Sequence, residues 1–123
     1  MQAQGLDLGA TRYGEEGSRF LSPQRLSEQL GVTQAELARL AGVARNTLTA
    51  KSATRKVDAA LSPIVRILTL AAEMAGDESR AVIWFKHQPI PGWAGKTAYD
   101  LVEERKADQV LAYLEAVRAG VYA

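Results

Sequence analysis

The 123-residue chain is predicted to be all-α. Three observations carry that expectation, of which two are patterns: where apolar residues are periodic they recur at helical spacing, and no stretch shows the strict apolar–polar alternation of a half-buried strand. The third is punctuation, because capping residues and prolines open the periodic runs while glycines and prolines close them.

Residues 1–20 hold Gly5, Gly9, Gly14 and Gly17 among polar neighbours, a spacing that disfavours helix and strand and reads as a mobile N-terminal arm. Ser22 is placed to cap a first helix over residues 23–30, with Pro23 at its first position, Leu26 and Leu30 one turn apart and Gly31 at its end. Thr33 and Glu36 make a capping box for a second helix, in which Leu37, Leu40 and Ala41 supply the apolar stripe up to Gly42. Residues 44–51 can form a third, although Thr47 and Thr49 are weak helix formers and this segment needs tertiary support.

Ser62 with Pro63 repeats the start signal, and Ile64, Ile67, Leu68, Ala71 and Ala75 then trace one face until Gly76. Asp77 caps a further segment carrying Ala81, Val82, Trp84 and Phe85, which stops before Pro89. Residues 88–95 cannot be helix, since Pro89, Pro91, Gly92 and Gly95 restrict or free the backbone in the wrong places. Thr97 caps a helix with Asp100 three positions on, and a last helix from about Ala107 carries Val110, Leu111, Leu114 and Val117 before Gly120.

The composition, 47% hydrophobic, suffices for an ordinary core that buries roughly two-thirds of the unfolded chain's surface. With no cysteine and the single histidine His87, no disulfide, thiolate site or metal centre is expected, and no cofactor. No nucleophile and base stand out as a pair, so no catalytic residue is assigned and a binding role is favoured over an enzymatic one. No apolar run reaches the roughly 20 residues of a membrane helix, and the N-terminus lacks the features of a signal peptide; the expectation is a cytoplasmic protein.

The net charge of +1 is uninformative, but its distribution is not. Arg39, Arg45, Lys51, Arg55 and Lys56 follow one another with no acidic residue between Glu36 and Asp58. Such a run is either a solvated face or an electrostatic footprint for nucleic acid.

The stretch "QAELARLAGVARNTLTAK", Gln34 to Lys51, has a small residue, Ala38, where two helices would cross, Gly42 in the turn, and Leu37, Val43 and Leu48 as apolar anchors. It resembles the helix-turn-helix of Xre/Cro-type repressors. That resemblance implies that Arg45, Asn46 and Thr49 face base edges in the major groove of an operator duplex, residue types suited to pairing with guanine and adenine. Thr47, Lys51, Arg55 and Lys56 would meet phosphates. Such repressors usually carry a large apolar residue three positions after the one matching Leu48, where this chain has Lys51; either the recognition helix is short or Ala50 and Ala53 take over its packing.

From Ser62 onward the chain resembles the toxin-binding domain of the Xre/MbcA/ParS antitoxin family. The carriers are an arginine inside an apolar helix (Arg66 in "SPIVRILTLAAEMAGD"), "AVIWF" at 81–85, the loop and capped helix "QPIPGWAGKTAYDLV", and the last helix from Val110 to Gly120. Trp84, Phe85, Trp93, Leu101, Val102, Val110, Leu114 and Val117 are enough to build a small core around that loop. Ala94-Gly95, Ala98 and Ala107 stand where the family generally has paired glycines, a proline and a glycine.

The resemblance implies a division into the arm (1–20), a DNA-binding region (21–61) and a toxin-binding and dimerisation domain (62–123). It also implies a type II antitoxin, commonly partnered with a RES-domain toxin that consumes NAD and is blocked at its active-site entrance. Arg118, Val121, Tyr122 and Ala123 would lie near that entrance, with the Tyr122 ring as anchor. Reading two operator half-sites requires a homodimer. The alternative is a stand-alone Xre-type dimeric regulator with no toxin partner.

Overall fold

The computed structural model describes residues 20–120. Of the arm expected over residues 1–20, all but Phe20 lies outside the described residues, as do Val121, Tyr122 and Ala123. The fold is all-α as expected: the described residues form seven α-helices and a 3-10 turn, and Pro89 and Thr97 meet only in an isolated antiparallel bridge. No single described helix is long and apolar enough to cross a membrane.

Helices α1 (Pro23–Leu30) and α2 (Gln34–Ala41) have the boundaries their caps predicted. The Ser22 hydroxyl accepts from the Arg25 N–H at 3.2 Å, and Pro23 occupies the first turn, where a missing N–H is harmless. In the α2 capping box, Thr33 Oγ1 accepts from the Glu36 N–H at 3.0 Å while the Glu36 carboxylate accepts from the Thr33 N–H at 2.8 Å. Holding its charged form in this way keeps the Glu36 carboxyl below the usual carboxylate range, the Thr33 hydrogen bonds being the main cause.

Two expectations are corrected in the next stretch. The third helix is α3, a single turn over Arg45–Leu48 rather than residues 44–51, and it is followed by the 3-10 turn Lys51–Ala53. The short-helix alternative raised by Lys51 is the one realised: Lys51 points to solvent and Leu48 closes the core, with Ala50 and Ala53 half-buried. The long helix does not begin at Ser62–Pro63. It is α4, Thr54–Ala75, 22 residues running through Pro63, and the division read at residue 62 falls inside it. Burial is the physical reason: Val57 and Leu61, ahead of the proline, lie on the same core-facing side as Ile64, Ile67 and Leu68.

After the left-handed Gly76, α5 (Glu78–His87) is capped by Asp77, whose carboxylate accepts from the Ser79 N–H at 2.7 Å. The Pro/Gly loop leads to α6 (Ala98–Glu103), opened by the expected Thr97–Asp100 capping box, and α7 covers Ala107–Arg118. Helix α4 packs against α5 and α7, and α6 touches α2, α5 and α7. Leu26, Leu37, Leu40, Leu61, Ile67, Phe85, Leu101 and Val110 are fully enclosed in one continuous cluster. Of the expected aromatic core only Phe85 is wholly buried, its ring edge-on to Tyr99 at 5.9 Å; Trp84, Trp93 and Val117 are half-buried.

Two consequences can be measured. Pro63 has no N–H for the Ala59 carbonyl, so Pro63→Ala is expected to stabilise the protein by on the order of 1 kcal/mol in urea unfolding; a loss of stability would place a true helix start at residue 63. Thr33→Ala is expected to cost about 1 kcal/mol and to move the Glu36 NMR titration upward toward the ordinary carboxylate value of 4.5. Because the folded-state pKa is the lowered one, the Glu36 contribution is present above 4.5 and fades as pH falls through the folded value. An unchanged Glu36 midpoint in the variant would contradict this.

Candidate functional site

The two surfaces singled out by the sequence lie at different places. On the first, α2 ends in three hydrogen bonds, Gly42 N–H to the Ala38 and Arg39 carbonyls at 2.8 and 3.2 Å and Val43 N–H to the Ala38 carbonyl at 3.0 Å, with Gly42 at φ +78°. This closing pattern turns the chain sharply and is open to glycine because no Cβ opposes a positive φ. Helix α3 follows at once, with Leu48 buried against α4 while Arg45 and Asn46 are exposed. Leu37 and Ala38 face the core, and Val43 is half-buried.

The remaining residues assigned to DNA follow on consecutive elements. Thr47 is half-buried, Thr49 exposed, Lys51 exposed on the 3-10 turn, and Arg55 and Lys56 exposed on the first turn of α4. No carboxylate among the described residues forms an ion pair with Arg45, Lys51, Arg55 or Lys56. The cluster is thus a row of solvent-facing cations beside a one-turn helix, chemically suited to a polyanion.

The second surface belongs to the C-terminal helices. Arg118, assigned to toxin contact, is exposed at the end of α7 and pairs with Glu115 one turn earlier; its companions Val121, Tyr122 and Ala123 lie outside the described residues. Arg66 is exposed on α4. The large apolar side chains left open among the described residues are Ile83, 60% exposed on α5, and Met74, 36% exposed near the end of α4. Around the Pro/Gly loop, Lys96 and Lys106 hold the Glu104 carboxylate at 2.7 and 3.4 Å, which lowers its pKa, the Lys96 hydrogen bond being the larger cause. Lys106 also stands over the Trp93 ring at 5.4 Å. Among the described residues no three His, Asp or Glu side chains gather as a metal site.

Two contacts that sequence reasoning missed join these surfaces. Lys86 Nζ, on α5, donates to the Leu30 carbonyl at 2.8 Å at the end of α1. Arg105 Nη2, just after α6, donates to the Arg39 carbonyl at 2.6 Å near the end of α2. Each cation sits at the negative end of a helix: Lys86 bonds one of the terminal carbonyls of α1, and Arg105 adds a second hydrogen bond to the Arg39 carbonyl that already accepts from the Gly42 N–H. Nothing local in sequence signals either pairing.

No curated protein and no solved structure matches the chain. Residues 70–120, from the last turns of α4 through the end of α7, match the family model described as the antitoxin Xre/MbcA/ParS C-terminal toxin-binding domain. Over that segment the chain is similar to the toxin-binding domain of the Xre/MbcA/ParS antitoxins, the family its sequence resembles.

Proposed function

We propose that the protein is the antitoxin of a toxin–antitoxin pair, which holds its toxin with the C-terminal helices and represses its own operon through the α2–α3 region. The observation that carries this reading is the family match over residues 70–120, on a segment that folds as helices packed round one core. Ile83 and Met74 both lie within it, and open apolar side chains suit a protein partner. The toxin favoured by the family's common pairing is a RES-domain enzyme that consumes NAD, and the antitoxin acts by shielding its active-site entrance.

The DNA-binding half of the proposal is supported by Gly42, by the anchors Leu37 and Leu48, and by the exposed Arg45 and Asn46. These suit a helix-turn-helix of the Xre type whose recognition helix is one turn long. Arg45, Asn46 and Thr49 read bases; Thr47, Lys51, Arg55 and Lys56 meet phosphates. Palindromic operators call for a homodimer.

Gel-shift titration on the sequence upstream of the gene tests this half. Arg45→Ala and Asn46→Ala are each expected to weaken specific binding by about 1–3 kcal/mol. Neutralising Lys51, Arg55 or Lys56 is expected to weaken binding to all duplexes alike and to reduce the salt slope by about 0.9 for each phosphate that is no longer neutralised. Unchanged affinity in the first pair would retire their base-reading role.

A growth-rescue assay tests the other half. Co-expression of the full chain with the protein encoded beside it is expected to restore growth. Deleting residues 118–123 should leave the melting transition in place and weaken the rescue; full protection by the shortened chain would remove the tail from the toxin site.

A further inference from the structure

Arg105 occupies a position where glycine is the usual residue. Helix α6 closes with Lys106 N–H on the Leu101 carbonyl at 2.8 Å and Arg105 N–H on the Val102 carbonyl at 3.0 Å, and Arg105 takes φ +66°. A residue with a side chain enters this left-handed region against its preference, and such outliers persist where the surroundings hold them. The surroundings here are the end of α2, which closes in the same pattern around Gly42. The Arg105 guanidinium bridges the two ends: Nη2 donates to the Arg39 carbonyl at 2.6 Å, while Nε and Nη2 hold the Glu103 carbonyl at 3.2 and 3.0 Å. It fills the space over Gly42, where a Cβ would collide with Nη1. The Arg39 side chain approaches Glu103 in turn, at 3.9 Å.

Helix α3 has little of its own to hold it. It is four residues long, its N-cap Ala44 makes no side-chain hydrogen bond, and Leu48 is its buried residue. A single turn is far below the length at which a helix sustains itself. Its direction relative to α2 is set by the Gly42 turn, and that turn is gripped from outside by Arg105.

We propose that Arg105 is a positioning residue for DNA binding: by clamping the end of α2 and the space over Gly42, it sets the direction in which α3 presents Arg45 and Asn46. The inference rests on the DNA-binding reading above. It also gives segment 70–120 a second task, because Arg105 belongs to the toxin-binding domain and reaches the DNA-facing turn from there.

The test uses the full chain with Arg105→Gln and Arg105→Gly. Glutamine keeps the strained backbone and loses the charge-assisted clamp. Glycine relieves the backbone and loses the clamp, so it remains folded even where the glutamine variant is weakened. Operator affinity of both is expected to fall about tenfold, the scale of one hydrogen bond to a charged group. The salt slope should stay at the wild-type value, since every phosphate keeps its cation, and the amide resonances of Gly42 to Asn46 should shift in the free protein. Arg105→Lys, which can still donate to the Arg39 carbonyl, should recover part of the affinity.

Wild-type affinity in both variants overturns the proposal and leaves the DNA-binding reading standing. A salt slope reduced by about 0.9 overturns it in another way, by making Arg105 a direct phosphate ligand. Failure of the wild-type chain to bind any duplex overturns the DNA-binding reading and this inference together.

Discussion

The structure depends on burying one side of α4. Val57, Leu61, Ile64, Val65, Ile67, Leu68, Leu70 and Ala71 line that side, and the other helices are arranged to cover it or to extend its core. Each enclosed leucine or isoleucine side chain contributes about 1.5–3 kcal/mol, whereas α1, α2 and α3, of eight, eight and four residues, are too short to persist alone. Secondary structure in the first half is therefore borrowed from tertiary contact. The same burial explains why α4 runs through Pro63: interrupting the helix would expose Val57 and Leu61, and that loss outweighs one missing backbone hydrogen bond.

This constraint makes the proposed DNA-facing surface and the segment that matches the antitoxin family model physical neighbours. Helix α4 begins beside Lys51 and ends inside residues 70–120, and the ends of α1 and α2 are capped by Lys86 and Arg105 from within the same segment. The proposed DNA-contacting and toxin-contacting residues are still separate, since Arg45 and Asn46 sit on α3 while Arg118 closes α7. The two proposed faces share one core.

Much of this was legible in the sequence because caps act locally. Ser22 with Pro23, Thr33 with Glu36, Asp77, and Thr97 with Asp100 each announce a helix start within three residues, and the structure has a helix at each. The Ser62–Pro63 signal has the same local form and misled, since long-range burial of Val57 and Leu61 decides the helix there. The exposed cations Arg45, Lys51, Arg55 and Lys56 were legible as charge. Arg105 and Lys86 were not, because their acceptors lie 66 and 56 residues away and no residue type or spacing marks the pairing. The strained φ of Arg105 is a property of the folded chain, and a lone arginine between Glu104 and Lys106 carries no trace of it.

Residues 70–120 are the segment expected to seat a protein partner, and on that the functional account stands. Hydrogen–deuterium exchange of the full chain, alone and mixed with the product of the adjacent gene, reads this directly. A stoichiometric complex with new protection concentrated in α5 and α7 is the expected result; no complex, or protection confined to α1–α3, would contradict it.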